Sequence, residues 1–238
     1  MRGLIIGNIS NLYQIRACEG CQRNPEPMAT YEGAARGKFK KEEISPVVGD
    51  IVKFDIIDEE NKKAVINEIE PRSIYIKRPK MANITQVVLV VSSKWPKPDL
   101  LMLDKQLAFA EFLGLKALIV LNKVDLDEKQ EFKKIKGIYE KIGYKVIETN
   151  AKQGKGIEEL KQALKHNINA FSGNSGVGKS TLINGIFEQE VTQEGEISKK
   201  NKRGKNTTTS TYLYQIEEDT YVADTPRIFN IWYFRNWK

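Results

Sequence analysis

Histidine and cysteine are almost absent from this sequence of 238 residues. His166 is the single histidine, and Cys18 and Cys21 are the two cysteines. Two thiols spaced C-E-G-C cannot supply the four ligands of a structural zinc site, and incidental thiols in a turn are favoured over a redox pair. With one histidine and no separate nucleophile signature, a Ser/His/Asp or Cys/His hydrolase is not indicated.

The sequence also lacks an apolar run long enough to span a bilayer, and it lacks the apolar core and cleavage site of a signal peptide. We therefore expect a cytoplasmic protein with no membrane role. A monomer is expected as well, although the sequence does not give the oligomeric state. Its charge is unbalanced, because 38 Lys and Arg residues face 31 Asp and Glu residues, for a net +7. This excess favours a polyanionic partner, with RNA ahead of a membrane or an acidic protein, and a solubility preference is the alternative.

Residues 1–72 contain short β-rich stretches separated by turns, at Gly3–Ile9, Leu12–Ala17, Thr30–Phe39, Ile51–Ile57 and Ala64–Ile69. Short strands at this spacing predict a small all-β barrel of the OB type. Tyr31, Phe39 and Tyr75 are interleaved with basic residues, namely Arg36, Lys38, Lys40, Lys41, Arg72, Lys77, Arg78 and Lys80. That mixture suits RNA phosphates and stacked bases, and a solvated barrel face with its aromatic residues in the core is an equal alternative.

After a predicted linker at 73–82, apolar runs alternate with helical patterns. Gln86–Val91 is continuously apolar, as is typical of a strand buried on both faces of a parallel sheet. Further strands are predicted at Ala117–Leu121, Tyr144–Glu148, Ile168–Phe171, Tyr212–Ile216 and Thr220–Ala223, and helices at Leu100–Leu113, Glu128–Ile142, Gly156–Leu164 and Leu182–Phe187. The alternation predicts a doubly wound α/β domain with a mostly parallel sheet over residues 83–226.

A phosphate-binding loop signature lies between one of these strands and the helix after it. The stretch is Gly173-Asn174-Ser175-Gly176-Val177-Gly178-Lys179-Ser180-Thr181, which matches G-x-x-x-x-G-K-S. Its glycines let successive backbone N–H groups approach an anion, and the following helix directs its positive dipole end to the same place. Lys179 is the candidate that reaches the β- and γ-phosphates, and Ser180 is a candidate Mg²⁺ ligand.

A second motif indicates which base accompanies the phosphates. Asn122-Lys123-Val124-Asp125 follows a predicted strand, and ligands bind at the carboxyl ends of strands in α/β sheets. The Asp125 carboxylate can accept from guanine N1–H and from the exocyclic amine, a donor pair that adenine lacks. Asn122 can join neighbouring loops, and the Lys123 stem can lie over the base. An ATP-dependent transferase or kinase, the alternative for a phosphate loop, is disfavoured by this motif.

Three further segments complete the predicted nucleotide site. Thr149-Asn150-Ala151-Lys152 ends the third strand, where a backbone N–H can meet guanine O6. Asp224 follows another strand and is placed to hold Mg²⁺ through water. The run Thr207-Thr208-Thr209 offers a Mg²⁺ ligand that senses the γ-phosphate. We favour Thr208, although the sequence does not separate the three and a strand start is the alternative interpretation.

The order of these motifs is unusual, because both guanine-contacting loops precede the phosphate loop and Asp224 comes last. A circularly permuted domain explains this order, since the termini of compact domains usually lie close together. With the N-terminal barrel, A-R-G-K at 35–38, V-G-D at 48–50 and T-T-T at 207–209, the sequence resembles the small-ribosomal-subunit-dependent GTPase A family (RsgA, also called YjeQ). The resemblance implies a GTP/GDP- and Mg²⁺-dependent GTPase, stimulated by the small ribosomal subunit during late maturation, whose barrel contacts rRNA.

The sequence departs from this family at three places. Asn150 replaces the usual Ser of S-A-K, and Asn206 stands where His often precedes the threonines. The family also continues D-T-P-G-F-S into a zinc-binding domain, whereas this chain reads Arg227 after Pro226 and stops at residue 238. From the sequence we therefore expect an aberrant tail over 227–238 and none of the family's zinc ligands.

One hypothesis for this tail is a frameshift. A chosen back-translation of residues 227–237 restores Gly-Phe-Ser after Pro226 when its first nucleotide is skipped, and resequencing the locus tests this. If the tail is genuine, we expect GTP and GDP binding with poor hydrolysis, even with ribosomal subunits, because Arg227 replaces a glycine whose N–H would reach the γ-phosphate. An RNA-binding module that uses nucleotide only as a structural ligand is the alternative function.

Overall fold

The structure is a computed structural model, and it describes residues 1–9, 12–18, 29–37, 39, 44–77, 79–128, 130–194 and 211–224. For residues 188–194 and 224 it describes the backbone alone. The chain forms two compact units, the first made mainly of Met1–Ile84 and the second mainly of Thr85–Lys205. Within the described residues, no helix has both the length and the apolar character that crossing a membrane requires.

The first unit is a closed five-stranded barrel. Its strands are β1 (Arg2–Ile9), β2 (Leu12–Ala17), β3 (Thr30–Ala35), β4 (Ile51–Asp58) and β5 (Lys63–Ile69). β1 pairs with β2 and β4, β2 with β3, and β4 with β5, all antiparallel, and a parallel pairing of β3 with β5 closes the ring. Alternate side chains fill the interior, among them Ile5, Ile15, Tyr31, Phe54 and Ile66. The predicted OB-like barrel is confirmed.

A buried carboxylate holds the barrel to the segment that follows it. Asp50 is fully buried, and it accepts hydrogen bonds from Arg72 Nε at 2.7 Å, from Arg72 Nη2 at 2.8 Å and from the backbone N–H of Val47 at 2.8 Å. The hydrogen bond to Asp50 raises the pKa of Arg72 above its usual value. The V-G-D motif at 48–50 therefore has a structural explanation within the barrel.

The structure separates the aromatic residues that the sequence grouped together. Tyr31 and Phe39 are buried, so they are core residues and do not present their rings to a base. Tyr75 is 40% exposed, and the Arg72 guanidinium lies over its ring at 4.8 Å from the centroid. Arg72 is thus committed to Asp50 and Tyr75, while four of the other basic candidates, Lys38, Lys40, Lys41 and Arg78, lie outside the described residues.

A short hairpin lies within residues 73–82, which the sequence indicated as a linker. Its strands are β6 (Tyr75–Lys77) and β7 (Lys80–Ala82). Val48 bridges to Met81, and the N–H of Ala82 donates to the carbonyl of Val48 at 2.9 Å. Met81 and Ala82 are fully buried, so this segment packs as part of the first unit.

The second unit is a sheet with helices, as predicted. Its elements are β8 (Gln86–Ser92), α1 (Leu100–Phe112), β9 (Lys116–Asn122), α2 (Glu131–Lys141), β10 (Lys145–Thr149), α3 (Ile157–Leu164), β11 (Ile168–Ser172) and α4 (Lys179–Glu194). It also contains residues 215–222 of the strands β12 (Tyr212–Glu217) and β13 (Thr220–Asp224), whose remaining residues belong to the first unit. The sheet order is β10-β9-β8-β11-β13-β12, and the first four strands run parallel.

Helices cover both faces of this sheet. Every residue of β8 is buried, which explains its continuous apolar run. Val88 and Val90 belong to a buried cluster with residues of α3 and α4, such as Leu160 and Ile183. Successive strand residues face opposite sides, so Val87 and Leu89 point to the other face, where α1 contacts β8 and β9. The predicted doubly wound α/β architecture is confirmed.

Candidate functional site

The loops that carry the predicted site residues lie at one edge of the sheet. In the parallel register, Ser92 is opposite Asn122, and Asn122 is opposite Thr149. The strand β11, which pairs with β8, ends at Ser172 immediately before the phosphate loop. The carboxyl ends of four neighbouring strands therefore bring the segments after residues 92, 122, 149 and 172 together.

At two positions of the phosphate loop, the backbone conformation and the surrounding atoms allow only glycine. Gly173 and Gly178 have φ values of 143° and 100°. A Cβ atom at Gly173 would lie 2.3 Å from the carbonyl oxygen of Val90, and one at Gly178 would lie 2.3 Å from Nδ2 of Asn122. Both the backbone conformation and the lack of space exclude a side chain there. Buried Val177 fixes the loop between these positions in the core.

Lys179 is the first residue of α4, and its side chain folds back into the loop. Its ammonium donates to the carbonyl oxygens of Gly173 at 2.6 Å and Asn174 at 2.9 Å. Burial lowers the pKa of this ammonium below its ordinary value. These carbonyls are neutral acceptors, so the positive charge remains available to an anion at the amino-terminal end of α4. Ser180 and Thr181 follow in the same turn and are exposed.

Asn122 joins three segments through one amide. It is 2% exposed. Its Nδ2 donates to the carbonyl oxygen of Val177 in the phosphate loop at 2.9 Å. Its Oδ1 accepts from the Thr149 hydroxyl at 3.0 Å and from the backbone N–H of Ala151 at 3.2 Å. The amide therefore connects the two segments predicted to contact the base with the phosphate loop.

Lys123 makes a second connection at the same place. Its backbone is left-handed, with φ 64° and ψ 41°, and it starts the short 3₁₀ turn Val124–Leu126. Its ammonium donates to the carbonyl of Gly176 at 2.7 Å and to the carbonyl of Trp95. The aliphatic stem consequently crosses from the turn to the phosphate loop. Asp125 lies within that turn with its carboxylate exposed.

The segment after β10 is organised by Asn150, one of the positions where the sequence departs from the related family. Asn150 is 3% exposed, and its Oδ1 accepts from the backbone N–H groups of Lys152 at 3.2 Å and Gln153 at 3.3 Å. Its own backbone bridges to Lys155. The amide at this position therefore supports a tight turn that carries Ala151 and leaves Lys152 exposed.

Some predicted site residues are not described by the structure. Thr207, Thr208 and Thr209 lie outside the described residues, as do Asn206 and Arg227. Asp224 is the last residue of β13, and only its backbone is described. The structure consequently brings together Asn122, Lys123, Asp125, residues 150–152 and the phosphate loop, and it leaves the predicted Thr208 and Asp224 side chains unplaced.

The sequence motifs did not predict that the segment after β8 belongs to the site. Two of its residues contact Lys123, Ser93 through its hydroxyl and Trp95 through its backbone carbonyl. The Ser92 hydroxyl donates to the Pro96 carbonyl within the same segment. The available signal was the position of two adjacent serines at the carboxyl end of a fully buried strand, where polar side chains of an α/β sheet meet ligand-binding loops.

These groups fit a nucleoside polyphosphate and Mg²⁺. The loop backbone has no space for a Cβ atom at two glycines, and Lys179, the first residue of α4, bonds to the loop through its ammonium. The exposed Ser180 hydroxyl is an oxygen ligand of the kind that Mg²⁺ prefers. Asp125 is exposed, and it lies in the turn that Lys123 joins to the phosphate loop through its bond to Gly176.

Comparison with known proteins gives a consistent result for both units. The family model described as RsgA GTPase matches residues 69–232, and the model described as RsgA N-terminal domain matches residues 2–66. A protein named small ribosomal subunit biogenesis GTPase RsgA from Alkaliphilus metalliredigens is 40% identical over 225 residues, 94% of this chain and 74% of the relative. Its namesake from Ruminiclostridium cellulolyticum is 40% identical over 224 residues, 94% of this chain and 71% of that protein.

Solved structures agree with these matches. YjeQ from Thermotoga maritima superposes with a TM-score of 0.77 at 32% identity, covering 94% of this chain and 74% of that one. YloQ, described as a circularly permuted GTPase, superposes with a TM-score of 0.74 at 28% identity, covering 94% of this chain and 70% of that one. The predicted family resemblance and the permuted GTPase fold are confirmed.

Proposed function

The chain belongs to the RsgA GTPase family, and we propose that it binds GTP, hydrolyses it to GDP and phosphate, and acts in maturation of the small ribosomal subunit. The observation that carries this proposal is the amide of Asn122. One buried side chain bonds the phosphate loop and the loop of Ala151 and sits next to the turn of Asp125. This connection supports the proposal, because a site that binds a base and its phosphates together requires both sets of groups to be held in fixed positions.

In this proposal each part of the site has one task. Asp125 accepts two hydrogen bonds from guanine, and the N–H groups of the phosphate loop surround the β-phosphate. Lys179 places its ammonium against the β- and γ-phosphates and stabilises the charge that develops as water attacks the γ-phosphorus. Its preformed bonds to Gly173 and Asn174 support this role, because they hold the ammonium in the loop before substrate arrives.

Mg²⁺, when bound, neutralises charge on the β- and γ-phosphate oxygens. Ser180 would ligand it, and its exposure at the second residue of α4 supports that role. We assign further Mg²⁺ contacts to Thr208 and Asp224 on their sequence positions. Ile228 stands where many GTPases have a glutamine that positions water, so we expect slow intrinsic hydrolysis and a catalytic contribution from the partner.

That partner is proposed to be the small ribosomal subunit, contacted through its rRNA. The relatives' printed names and the chain's net charge of +7 support this assignment. Since Tyr31 and Phe39 are buried, we expect the first unit to bind rRNA mainly through phosphate contacts of the barrel and through the exposed Tyr75 of the hairpin. We further propose that the chain works as a monomer in the cytoplasm.

Single-turnover GTP hydrolysis, measured with and without purified small ribosomal subunits, tests the function. We expect subunits to accelerate hydrolysis by the unchanged chain, to a rate below that of Arg227→Gly with subunits. Lys179→Ala should abolish that acceleration, whereas Lys133→Ala, which removes an exposed lysine of α2, should preserve it. Equal rates with and without subunits, at a level that Lys179→Ala does not lower, would contradict the proposal.

The variant Arg227→Gly, measured in the same assay, tests whether the tail limits hydrolysis. If Arg227 obstructs the γ-phosphate site, the variant should hydrolyse GTP faster than the unchanged chain at equal GDP affinity. Equal rates for the two proteins would show that position 227 does not limit hydrolysis, and the low activity expected from the sequence would then be wrong.

A further inference from the structure

The segment that follows β8 contacts the base-binding turn at several atoms. β8 ends at Ser92, which is opposite Asn122 in the sheet register. The next residue, Ser93, donates its backbone N–H to the carbonyl of Asn122 at 3.3 Å, so the pairing of the strands continues by one residue. Ser93 is therefore held beside the start of the turn that carries Asp125.

The side chain of Ser93 is directed at one backbone atom of that turn. Its Oγ donates to the carbonyl oxygen of Lys123 at 2.6 Å, and the contact is partly buried. The same oxygen accepts the N–H of Leu126 at 3.0 Å, which is the hydrogen bond that closes the turn. One carbonyl thus receives both the bond that forms the turn and the bond that ties it to β8.

Lys123 needs such support because its backbone conformation is unfavourable. A left-handed residue other than glycine is sterically disfavoured, and it persists where surrounding contacts determine it. Lys123 has φ 64° and ψ 41°, and it precedes Asp125 by two residues. A change in these angles would rotate the turn and move the Asp125 carboxylate away from its direction in the folded protein.

The other end of Lys123 is held by the same segment. Its ammonium donates to the carbonyl of Trp95, while the Ser92 hydroxyl donates to the carbonyl of Pro96 at 2.7 Å and closes the loop on itself. Residues 92–96 thereby bond both the backbone and the side chain of Lys123. Among these contacts, that of the Ser93 hydroxyl alone reaches the backbone carbonyl that starts the turn.

We propose that Ser93 is a positioning residue for base selection, which acts by holding the Lys123 carbonyl and through it the direction of Asp125. The assignment rests on the proposed binding of guanine nucleotide. Ser93 does not itself contact the base in this scheme. Ser93 would affect how strongly the site prefers guanine, which offers Asp125 two donors, over a base that offers one. That preference depends on the angle at which the Asp125 carboxylate meets the base edge.

The experiment compares GDP with inosine diphosphate, which lacks the exocyclic amine and so offers Asp125 a single donor. Dissociation constants for both nucleotides are measured by calorimetry on the full chain and on Ser93→Ala. Loss of one neutral hydrogen bond predicts a weakening of GDP binding by about fivefold. The preference for GDP over inosine diphosphate should fall by about threefold, since the second donor contact is the more sensitive to a rotated carboxylate.

Two variants separate positioning from a general loss of stability. Ser93→Thr keeps a hydroxyl and should restore most of the nucleotide preference. Ser73→Ala removes a hydroxyl that donates to Asn83 at 3.1 Å in the first unit, and it should leave both dissociation constants unchanged. Equal weakening of GDP and inosine diphosphate by Ser93→Ala, or no weakening, would overturn the assignment. If the unchanged chain bound GDP no better than ADP, the proposed function would fail first, and this assignment with it.

Discussion

Two buried polar side chains, Asp50 in the first unit and Asn122 in the second, each hold separate segments of the chain together. One does so with a charged group and the other with a neutral group. Each accepts or donates three hydrogen bonds and joins segments that are distant in sequence. Asp50 is a charged acceptor whose main partner is a charged side chain, Arg72. Asn122 is neutral, and two of its three partners are backbone groups.

The difference shows what each position is for. A carboxylate can only accept, so Asp50 suits a place where an arginine and an N–H converge, and its burial makes the barrel depend on that pairing. An amide can also donate, and Asn122 uses this to reach the carbonyl of Val177 in the phosphate loop. A neutral anchor carries no charge into a site that must accept a polyphosphate. We infer that Asp50 serves folding and that Asn122 serves binding.

The largest expected effect is on the barrel. Asp50→Ala should lower the free energy of unfolding by about 3–5 kcal/mol, because it leaves the Arg72 guanidinium half-buried without its carboxylate. Denaturant unfolding measures the loss, and nucleotide affinity of the protein that remains folded should be unchanged. A loss below about 1 kcal/mol would show that the pair does not anchor the barrel.

Asn122→Ala should weaken nucleotide binding more than it lowers the free energy of unfolding. Removing three hydrogen bonds at about 1 kcal/mol each is expected to weaken GDP binding by about 100-fold. The free energy of unfolding should fall by less than it does in Asp50→Ala. Asn122→Asp refines this test, since it keeps the acceptor contacts to Thr149 and Ala151 and loses the donor to Val177. Asn122→Asp also adds a negative charge to the site, so tighter binding by this variant than by the alanine variant would show that the acceptor contacts contribute in spite of that charge.

Glycine substitutions in the phosphate loop test its contact with Asn122, and we expect smaller losses of GDP affinity from them. Gly178→Ala adds a Cβ atom 2.3 Å from Asn122 Nδ2 at a φ of 100°, so GDP affinity should fall by roughly tenfold or more. Gly176→Ala is the matched control, because its nearest neighbour, Pro96 Cδ, is 3.7 Å from the added atom. Its positive φ of 81° predicts a smaller loss. Equal losses in calorimetry would mean that backbone strain, and not contact with Asn122, determines the effect.

The smallest effect should come from an exposed ion pair of the barrel. Lys53 and Glu68 meet at 3.0 Å with both side chains more than half exposed. Lys53→Ala should change the free energy of unfolding by less than about 1 kcal/mol, since water screens such a pair. This variant calibrates the Asp50 result, and a loss as large as that of Asp50→Ala would remove the distinction between buried and exposed pairs.

Much of this molecule could be predicted from local sequence. The phosphate loop follows from its glycine spacing, and the buried strand β8 from its apolar run. Helix α2 starts at Glu131, three residues later than predicted, because the Asp127 carboxylate caps it by accepting from the N–H groups of Glu131 and Phe132. The segment contains several acidic residues, so periodicity alone did not identify which one caps the helix.

Contacts between distant residues could not be predicted in the same way. Arg72 looked like one basic residue among several, because its partner Asp50 lies 22 residues earlier. From the sequence, base stacking and a position in the barrel core were equal alternatives for Tyr31, and its complete burial shows that it belongs to the core. Ser93 carries no motif, and its importance depends on a carbonyl 30 residues away. In each case the fold, and not the local pattern, decides which group the side chain meets.

The central claim is that Asp125 selects guanine, and a base-swap experiment tests it most directly. Xanthine has a carbonyl in place of the exocyclic amine of guanine, so it requires a donor where guanine requires an acceptor. In a direct titration, the unchanged chain should bind GDP and bind xanthosine diphosphate much more weakly, and Asp125→Asn should invert that order. Retention of GDP preference by Asp125→Asn, or equal binding of GDP and ADP by the unchanged chain, would contradict the claim.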